Sequence, residues 1–149
     1  MTFPTFRLSA LALLAATAFA SPVLAGQCPA GQSAANPLTA APMSPKGVTD
    51  TLIGSVDLAK EIMVADRHLR TRRLVVQPGG IVPMHSHVDR PALIYTVSGT
   101  IMEYRSDCAV PITHKGGEIS READGISHYW INKGKVPVVL LSSDVHHGM

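Results

Sequence analysis

The chain has 149 residues, 46% of them hydrophobic, which suits one compact domain rather than two. Its 13 Lys and Arg residues against 11 Asp and Glu residues give a formal net charge of only +2. This balance excludes the strongly basic surface that nucleic-acid binding requires, so no nucleic-acid partner is expected.

The N-terminus predicts a secretory signal peptide over residues 1–25. Arg7 supplies the positive charge, residues 8–19 form an apolar core, and small residues provide a cleavage site after Ala25. The apolar run is short for a membrane span, and no later run could replace it. We therefore expect a periplasmic or secreted protein with no stable membrane anchor after cleavage. Cleavage before Ser21 and an uncleaved anchor are the alternatives.

Residues 26–47 are rich in Pro, Ala, Gly and Ser and predict an irregular arm ahead of the main domain. Two cysteines follow the predicted cleavage site, Cys28 in this arm and Cys108 in the domain. An even cysteine count in an oxidising compartment favours one disulfide between arm and domain. Two unpaired cysteines are the alternative.

The main domain, residues 48–149, contains short segments that read as strands. Six of them are rich in Val, Ile, Thr and Tyr: TLIGSVDL, HLRTRRLVV, ALIYTVSG, TIMEYRS, GISHYWI and VPVVLLSS. The stretches PGG, SG, HKGG, ADG and NKGK between them have turn composition. Residues 57–68 predict at most a short helical turn. The pattern predicts an all-β, antiparallel sandwich or barrel, whose small core a homodimer interface would help to stabilise.

The second of these segments carries three arginines. Strand alternation puts Arg70 and Arg72 on one face and Arg73 on the other. A surface exposed to solvent or to another subunit is the first interpretation of these side chains. Recognition of an anionic substrate is the second.

Two histidines follow in the stretch GGIVPMHSHVDRPALIYTVSG. His85 and His87 are two residues apart, so on a β-strand they would leave the backbone on the same face. Gly79 lies six positions before His85, and Gly99 lies twelve positions after His87. A second block, GEISREADGISHYWIN, contains Gly117, Gly125, His128 and Asn132.

These two blocks resemble the paired motifs of the cupin superfamily. The first family motif is a Gly, five residues, His-x-His, three or four residues, a Glu, six residues and a Gly. The second is a Gly, five residues, Pro-x-Gly, two residues, a His, three residues and an Asn. This chain has Ala123 at the proline position of the second motif. The resemblance covers roughly residues 48–145 and implies a small antiparallel jelly-roll (cupin) barrel, like those of small exported single-domain cupins.

The resemblance also implies a metal site with one ligand missing. The family's glutamate falls at Ala92 in this chain. The expected ligands of a divalent metal ion (Fe, Zn, Ni, Cu or Mn) are therefore three imidazoles, those of His85, His87 and His128. Such a site leaves coordination positions open, and without the carboxylate it favours anionic ligands.

Two acidic residues are candidates to replace the missing glutamate. Asp89 lies two residues after His87 and would share its face if the strand continued. The alternative is that Asp89 caps a turn or pairs with Arg90, because Pro91 disfavours a continued strand. Glu103 is a further candidate, although nothing in its motif position supports it.

The resemblance leaves three classes of function open. The first is a metal-dependent enzyme, since three-histidine cupins include thiol dioxygenases and β-diketone-cleaving dioxygenases. The second is a non-catalytic module that binds a small molecule, and the third is a structural cupin with a degenerate site. The expected partner in the first two classes is a small-molecule ligand or substrate, and no catalytic residue is assigned.

Overall fold

A computed structural model describes residues 26–148 of the chain, and the predicted signal peptide lies outside this range. The elements in chain order are β1 (Lys46–Asp57), α1 (Leu58–Ile62), β2 (His68–Ser86), β3 (Ala92–Ser98), β4 (Thr100–Arg105), β5 (Ile112–Lys115), β6 (Ile119–Glu122), β7 (Ser127–Ile131) and β8 (Val138–His146). The paired strands are all antiparallel. The predicted all-β antiparallel barrel is confirmed, and it is nearly closed.

Strand β2 organises the barrel. The strand order is β5-β4-β7-β2-β8-β3-β6, and β1 pairs with β2 outside this path. The first half of β2 pairs with β1 on one side and β8 on the other, whereas its last residues pair with β7. One continuous strand therefore connects the two parts of the sheet and carries its side chains from one end of the interior to the other.

Strand alternation separates an apolar interior from the outer surface. Inward positions of different strands meet in one core cluster, which consists of Leu74, Val76, Ile94, Ile101, Trp130, Val138 and Leu140. Their sequence neighbours Arg73 and Leu93 point outward and are exposed. Burying a large apolar side chain stabilises a fold by about 1.5–3 kcal/mol, so this cluster fixes which face of β2, β3, β4, β7 and β8 is inside.

Three strands differ from the sequence prediction. Strand β2 continues through the stretch PGG, which was expected to be a turn. Strands β5 and β6, of four residues each, are not among the six segments predicted as strands. The stretch HKGG, which overlaps β5, was expected to be a turn. In the structure His114 and Lys115 belong to β5 and only the two glycines turn. The helical turn predicted within residues 57–68 is present as α1, and its N-cap Asp57 accepts a hydrogen bond from the backbone N–H of Ala59.

Two residues of the family motifs hold turns. Gly99, between β3 and β4, has φ +86°, and an added Cβ would lie 2.9 Å from Cγ2 of Val138. A side chain is therefore excluded there by both conformation and space. Asn132 is fully buried, and its amide donates to the carbonyl oxygens of Val76 and Val136 at 2.9 and 2.8 Å. These residues shape the barrel and do not line its site.

A disulfide joins the N-terminal arm to the barrel. Cys28 and Cys108 are bonded, as predicted, with their Cα atoms 5.7 Å apart. Nearby, the side-chain amide of Asn36 donates to the carbonyl oxygen of Cys108 at 3.1 Å. The arm is thereby held against the connection between β4 and β5. No helix among the described residues is long and apolar enough to cross a membrane.

Candidate metal centre

Three imidazoles meet inside the barrel. The register of β2 and β7 puts His85 directly opposite His128, and His87 follows immediately after β2 ends. The Nε2 atom of His128 lies 3.0 Å from those of both His85 and His87, and the latter two lie 3.2 Å apart. The structure therefore brings together the three histidines predicted as metal ligands.

The opposite ring nitrogen of each histidine has an acceptor. Nδ1 of His85 donates to the carbonyl oxygen of Pro83 at 2.8 Å, and Nδ1 of His87 donates to that of Arg90 at 2.7 Å. A neutral imidazole carries one proton, so these bonds leave a lone pair on each Nε2. Backbone carbonyls and carboxylates orient metal-ligating histidines in this way.

His128 donates to a carboxylate instead of a carbonyl. Its Nδ1 lies 2.5 Å from Oε1 of Glu103, and the indole Nε1 of Trp130 is also 3.2 Å from the same nitrogen. One nitrogen cannot both donate to the carboxylate and accept from the indole. Because an ionised carboxylate can only accept, the proton is assigned to Nδ1 of His128. All three Nε2 lone pairs then point at one another with no proton between them.

Burial keeps the three rings neutral. Desolvation lowers the pKa of His85 and of His87 to about 4, and it lowers the pKa of His128 to about 3. At neutral pH the three lone pairs are therefore free to coordinate a cation. Nitrogen ligands about 2.1 Å from an ion, with mutual angles near 90°, lie about 3.0 Å apart. The observed separations fit three adjacent positions on one metal ion.

A second group of ionisable side chains lies behind His128. Glu103 and Glu122 are fully buried, and Oε2 of Glu122 is 3.3 Å from Nδ1 of His128. Desolvation, together with repulsion from Glu103, raises the pKa of Glu122 to about 7. The motif spacing gives Glu103 no support as a ligand, and it carries no signal for Glu122. Each glutamate lies on the same face of its strand as buried residues. This alternation is the sequence signal that could have identified it.

Neither of the two acidic residues considered as replacements for the missing glutamate reaches the Nε2 atoms of the histidines. Asp89 is exposed, and its carboxylate accepts from Arg67 and contacts Nε2 of His147 at 2.6 Å. It therefore neither joins the histidines nor pairs with Arg90. Glu103 reaches His128 from the Nδ1 side, so it orients this ring and does not share the Nε2 position. Ala92 is buried opposite Glu122 and Asp144.

A cavity of about 370 Å³ opens next to the histidines. Much of its wall is apolar, formed by Pro45, Val48, Leu74, Val82, Pro83, Ile94, Trp130 and Leu140. The polar lining consists of Asp50, Arg72, His85, His87, Arg90 and Ser142. This volume is sufficient for a small organic ligand, with a few polar groups to orient it.

Positive charge exceeds negative charge along one side of this cavity. Arg70 binds the buried Asp144 through two hydrogen bonds of 2.7 and 3.0 Å, and Arg72 binds Asp50 at 2.5 Å. Arg90 lies 3.5 Å from the already paired Asp144. Three guanidinium groups thus face two carboxylates. The Nε of Arg72 is buried and has no hydrogen-bond partner among the described residues.

The positions of the arginines correct the interpretation that all three lie on a surface exposed to solvent or to another subunit. Arg73 is exposed on the outer face, as that interpretation requires. Arg72 instead lines the cavity, and Arg70 forms part of the charge cluster that bounds it. The sequence pattern gave their alternation correctly but not which face of β2 is internal.

The structure is a small antiparallel β-barrel with a histidine cluster beside an internal cavity. Residues 72–144 match the family model described as a cupin domain. This match covers most of the barrel domain and places it in the cupin superfamily, as the motifs predicted.

Similarity to a curated protein is limited to part of that protein. The chain is 30% identical over 76 residues to germin-like protein 1 of Brassica napus. The match covers 49% of this chain and 37% of the relative, so the chain spans less than half of that protein.

Solved structures resemble the barrel at low sequence identity. An oxalate oxidase in complex with the substrate analogue glycolate has a TM-score of 0.53 and 19% identity, covering 68% of this chain and 52% of that one. A predicted oxalate decarboxylase from Thermotoga maritima has a TM-score of 0.50 and 21% identity, with coverages of 69% and 98%. The Cnp3 cupin domain of Schizosaccharomyces pombe has a TM-score of 0.54 and 12% identity, with coverages of 68% and 67%. These similarities establish the fold.

Proposed function

We propose that the protein binds a divalent metal ion through His85, His87 and His128 and holds a small carboxylate ligand beside it. The observation that carries the proposal is the meeting of three Nε2 lone pairs at 3.0–3.2 Å, each ring proton being directed away. A cation at this point removes their mutual repulsion. When bound, it would act as a Lewis acid and leave positions open for water, ligand or dioxygen.

The charge of the cavity supports a carboxylate as the ligand. The buried Nε of Arg72 lacks a partner, and Arg90 has only a shared one at 3.5 Å. A guanidinium presents a planar set of donors that matches a carboxylate, and such charge-assisted bonds are the stronger ones. The ligand would therefore bridge the metal and the arginine side of the cavity.

The apolar walls limit the size and polarity of this ligand. Leu74, Ile94 and Leu140 are among the apolar side chains that line the cavity. They exclude water from the bound ligand, which strengthens its interaction with the charged groups. The fold is similar to that of an oxalate oxidase solved with glycolate, which makes oxalate and glycolate the first ligands to test.

The metal part of the proposal is tested by His128→Ala. We expect the tag-free wild-type protein to hold a stoichiometric divalent metal and this variant to hold none, because three ligands rarely tolerate the loss of one. Elemental analysis of both proteins, with circular dichroism to verify folding, gives the result. The control is His146→Ala, which removes an imidazole at the end of β8. Equal metal content in His128→Ala and the wild type would refute the site.

The ligand part is tested by a matched pair of arginine variants. Calorimetric titration of oxalate and of glycolate into the Ni²⁺-loaded protein measures affinity. We expect Arg72→Met to weaken binding at least about tenfold, because a charged hydrogen-bond donor is lost. Arg73→Met, on the outer face of the same strand, leaves it unchanged. Equal effects of both variants would exclude a role of the cavity arginines.

Turnover separates an enzyme from a binding module. Oxygen consumption by the iron-loaded protein, measured over a panel of small carboxylates, identifies dioxygenase-like chemistry if it occurs. Ligand binding without oxygen uptake identifies a module that binds but does not catalyse. A structural cupin would fail the metal test before either measurement.

A further inference from the structure

A closed polar cluster occupies the barrel interior on the far side of His128. It consists of Glu103, His114, Ser120 and Glu122, all of them fully buried. Nε2 of His114 donates to Oε2 of Glu103 at 2.8 Å. The hydroxyl of Ser120 contacts Oε1 of Glu122 and lies 3.4 Å from Oε2 of Glu103. Two carboxylates therefore share a small volume from which water is excluded.

This cluster has more negative than positive charge. Among residues 26–148, the arginine that approaches it is Arg105, whose Nη1 lies 3.8 Å from Oε2 of Glu122. Arg105 also binds Asp107 through two hydrogen bonds of 2.9 Å, so its charge is already shared. An uncompensated buried carboxylate is costly, and a cation or a donor is expected nearby.

Two atoms of the cluster also lack hydrogen bonds. Within the described part of the chain, Nδ1 of His114 and Oε2 of Glu122 are buried without a partner. Because Nε2 of His114 carries the proton that Glu103 accepts, Nδ1 presents a lone pair. With Glu122 ionised, both atoms are acceptors, so a donor of hydrogen bonds is missing from the cluster, and a positively charged donor would also balance its charge.

Gly26 packs against this position. It is buried, and its carbonyl oxygen is 3.5 Å from Oγ of Ser120. A Cβ added to Gly26 would lie 3.1 Å from Nδ1 of His114 and 2.4 Å from the carbonyl oxygen of Ile119. With φ +86° as well, this position accepts glycine only. The α-nitrogen is about 2.5 Å from the Cβ position on the same Cα, so it lies no farther than about 5.6 Å from Nδ1 of His114.

We propose that Gly26 is the mature N-terminus and that its α-ammonium group is the missing donor and cation. Hydrolysis of the Ala25–Gly26 peptide bond by a signal peptidase consumes one water, leaving a carboxylate on Ala25 and an amine on Gly26. The amine takes up a proton and becomes an ammonium. It donates to Nδ1 of His114 and pairs with the carboxylates of Glu122 and Glu103, while the Cys28–Cys108 disulfide holds the arm in place.

Removal of the signal peptide would thus supply the cation that the buried cluster lacks. Before cleavage, the Gly26 nitrogen is an uncharged amide with a single proton. After cleavage, it is a cation with three protons, which the two acceptors and the excess negative charge of the cluster can use. The inference rests on the predicted cleavage after Ala25 and is independent of metal binding.

The experiment uses the full chain expressed in a bacterium and recovered after export. Intact mass gives the N-terminus, which we expect at Gly26. Reductive methylation of amines at neutral pH, followed by peptide mass spectrometry, then compares native with guanidinium-unfolded protein. We expect the Gly26 amine to react at least about tenfold more slowly in the native state, because it is buried in an ion pair. The exposed amine of Lys60, as internal control, reacts at similar rates in both.

Two results would overturn the proposal. One is a mature chain that begins at another residue, and the other is a Gly26 amine that reacts as fast in the native as in the unfolded protein.

A matched pair of variants adds a second measurement. We expect Gly26→Ala to lose the native-state protection of the amine, whereas Gly31→Ala retains it. Gly31 also has a positive φ, +78°, but an added Cβ there meets nothing within 4 Å. Protection retained in Gly26→Ala would contradict the placement.

Discussion

The two sides of the His128 ring face regions of opposite charge. On the Nε2 side, three arginines face two carboxylates along a cavity that is open to ligand. On the Nδ1 side, Glu103 and Glu122 lie in a closed cluster with little compensating charge. A single imidazole separates a region that attracts anions from one that already contains them.

This separation has a chemical consequence for the site. In the family motif a glutamate would bring its charge directly to the metal, but this chain has Ala92 there. The carboxylate of Glu103 acts instead through His128, since a hydrogen bond to Nδ1 makes the opposite nitrogen a stronger donor to a metal. Negative charge would thus support the proposed metal ion from the Nδ1 side of His128 and leave the arginine-lined cavity available to an anionic ligand.

The largest effect on this arrangement is expected from Glu103→Gln. The neutral amide keeps the size of the side chain but cannot offer His128 a charged acceptor. Loss of a partner of this kind typically lowers metal affinity 10–100-fold. Competition with a chromophoric chelator measures the affinity for Zn²⁺. The control is Glu118→Gln, in the turn before β6, which should leave affinity unchanged; an unchanged affinity in Glu103→Gln would exclude the role of its charge.

Much of the Nε2 side could be predicted from the sequence. The spacing of the two motifs identified His85, His87 and His128, and it also identified the position of the missing glutamate. Such spacing is informative because strand alternation and family register both constrain it. The barrel itself followed from the short β-branched segments and their turns.

The Nδ1 side could not be predicted in the same way. Glu103 has the same inward phase on β4 as the buried Ile101, but only the pairing of β4 with β7 brings it to His128. That pairing depends on barrel closure, which no local pattern encodes. Strands β5 and β6 are only four residues long, so their alternation is too brief to distinguish from a turn. The positions of His114 and Glu122 were missed for this reason.

A smaller effect is expected when the family glutamate is restored. Ala92 is buried next to Glu122 and Asp144, so a carboxylate there adds repulsion unless a cation compensates it. We expect Ala92→Glu to bind Zn²⁺ several-fold more tightly than Ala92→Gln, because the two differ only in charge and both must fit the same space. Chelator competition compares them. Equal affinities would mean that a side chain at position 92 does not reach the metal.

The smallest effect concerns the pH dependence of the metal-free protein. Burial lowers the pKa of His85 and His87 to about 4, whereas an unfolded histidine titrates near 6.5. Between these values the unfolded chain binds more protons, so these two groups make stability rise with pH from about 4 to about 6.5. The pKa of Glu122, raised to about 7, acts in the opposite direction above its unfolded value.

One titration series can therefore distinguish how the histidines and Glu122, on the two sides of the His128 ring, contribute to the free energy of unfolding. Urea unfolding of the metal-free protein, made with residues retained before Gly26 so that its nitrogen carries no ammonium charge, gives the free energy of unfolding at several pH values. Stability should rise with pH in the wild type, because the buried histidines outnumber the single opposing carboxylate. Glu122→Gln should make the rise steeper by removing the group that loses stability as pH increases. A slope unaffected by this variant would show that Glu122 is already ionised in the folded protein at low pH, and that the excess negative charge assigned to its side of the ring is balanced by another group.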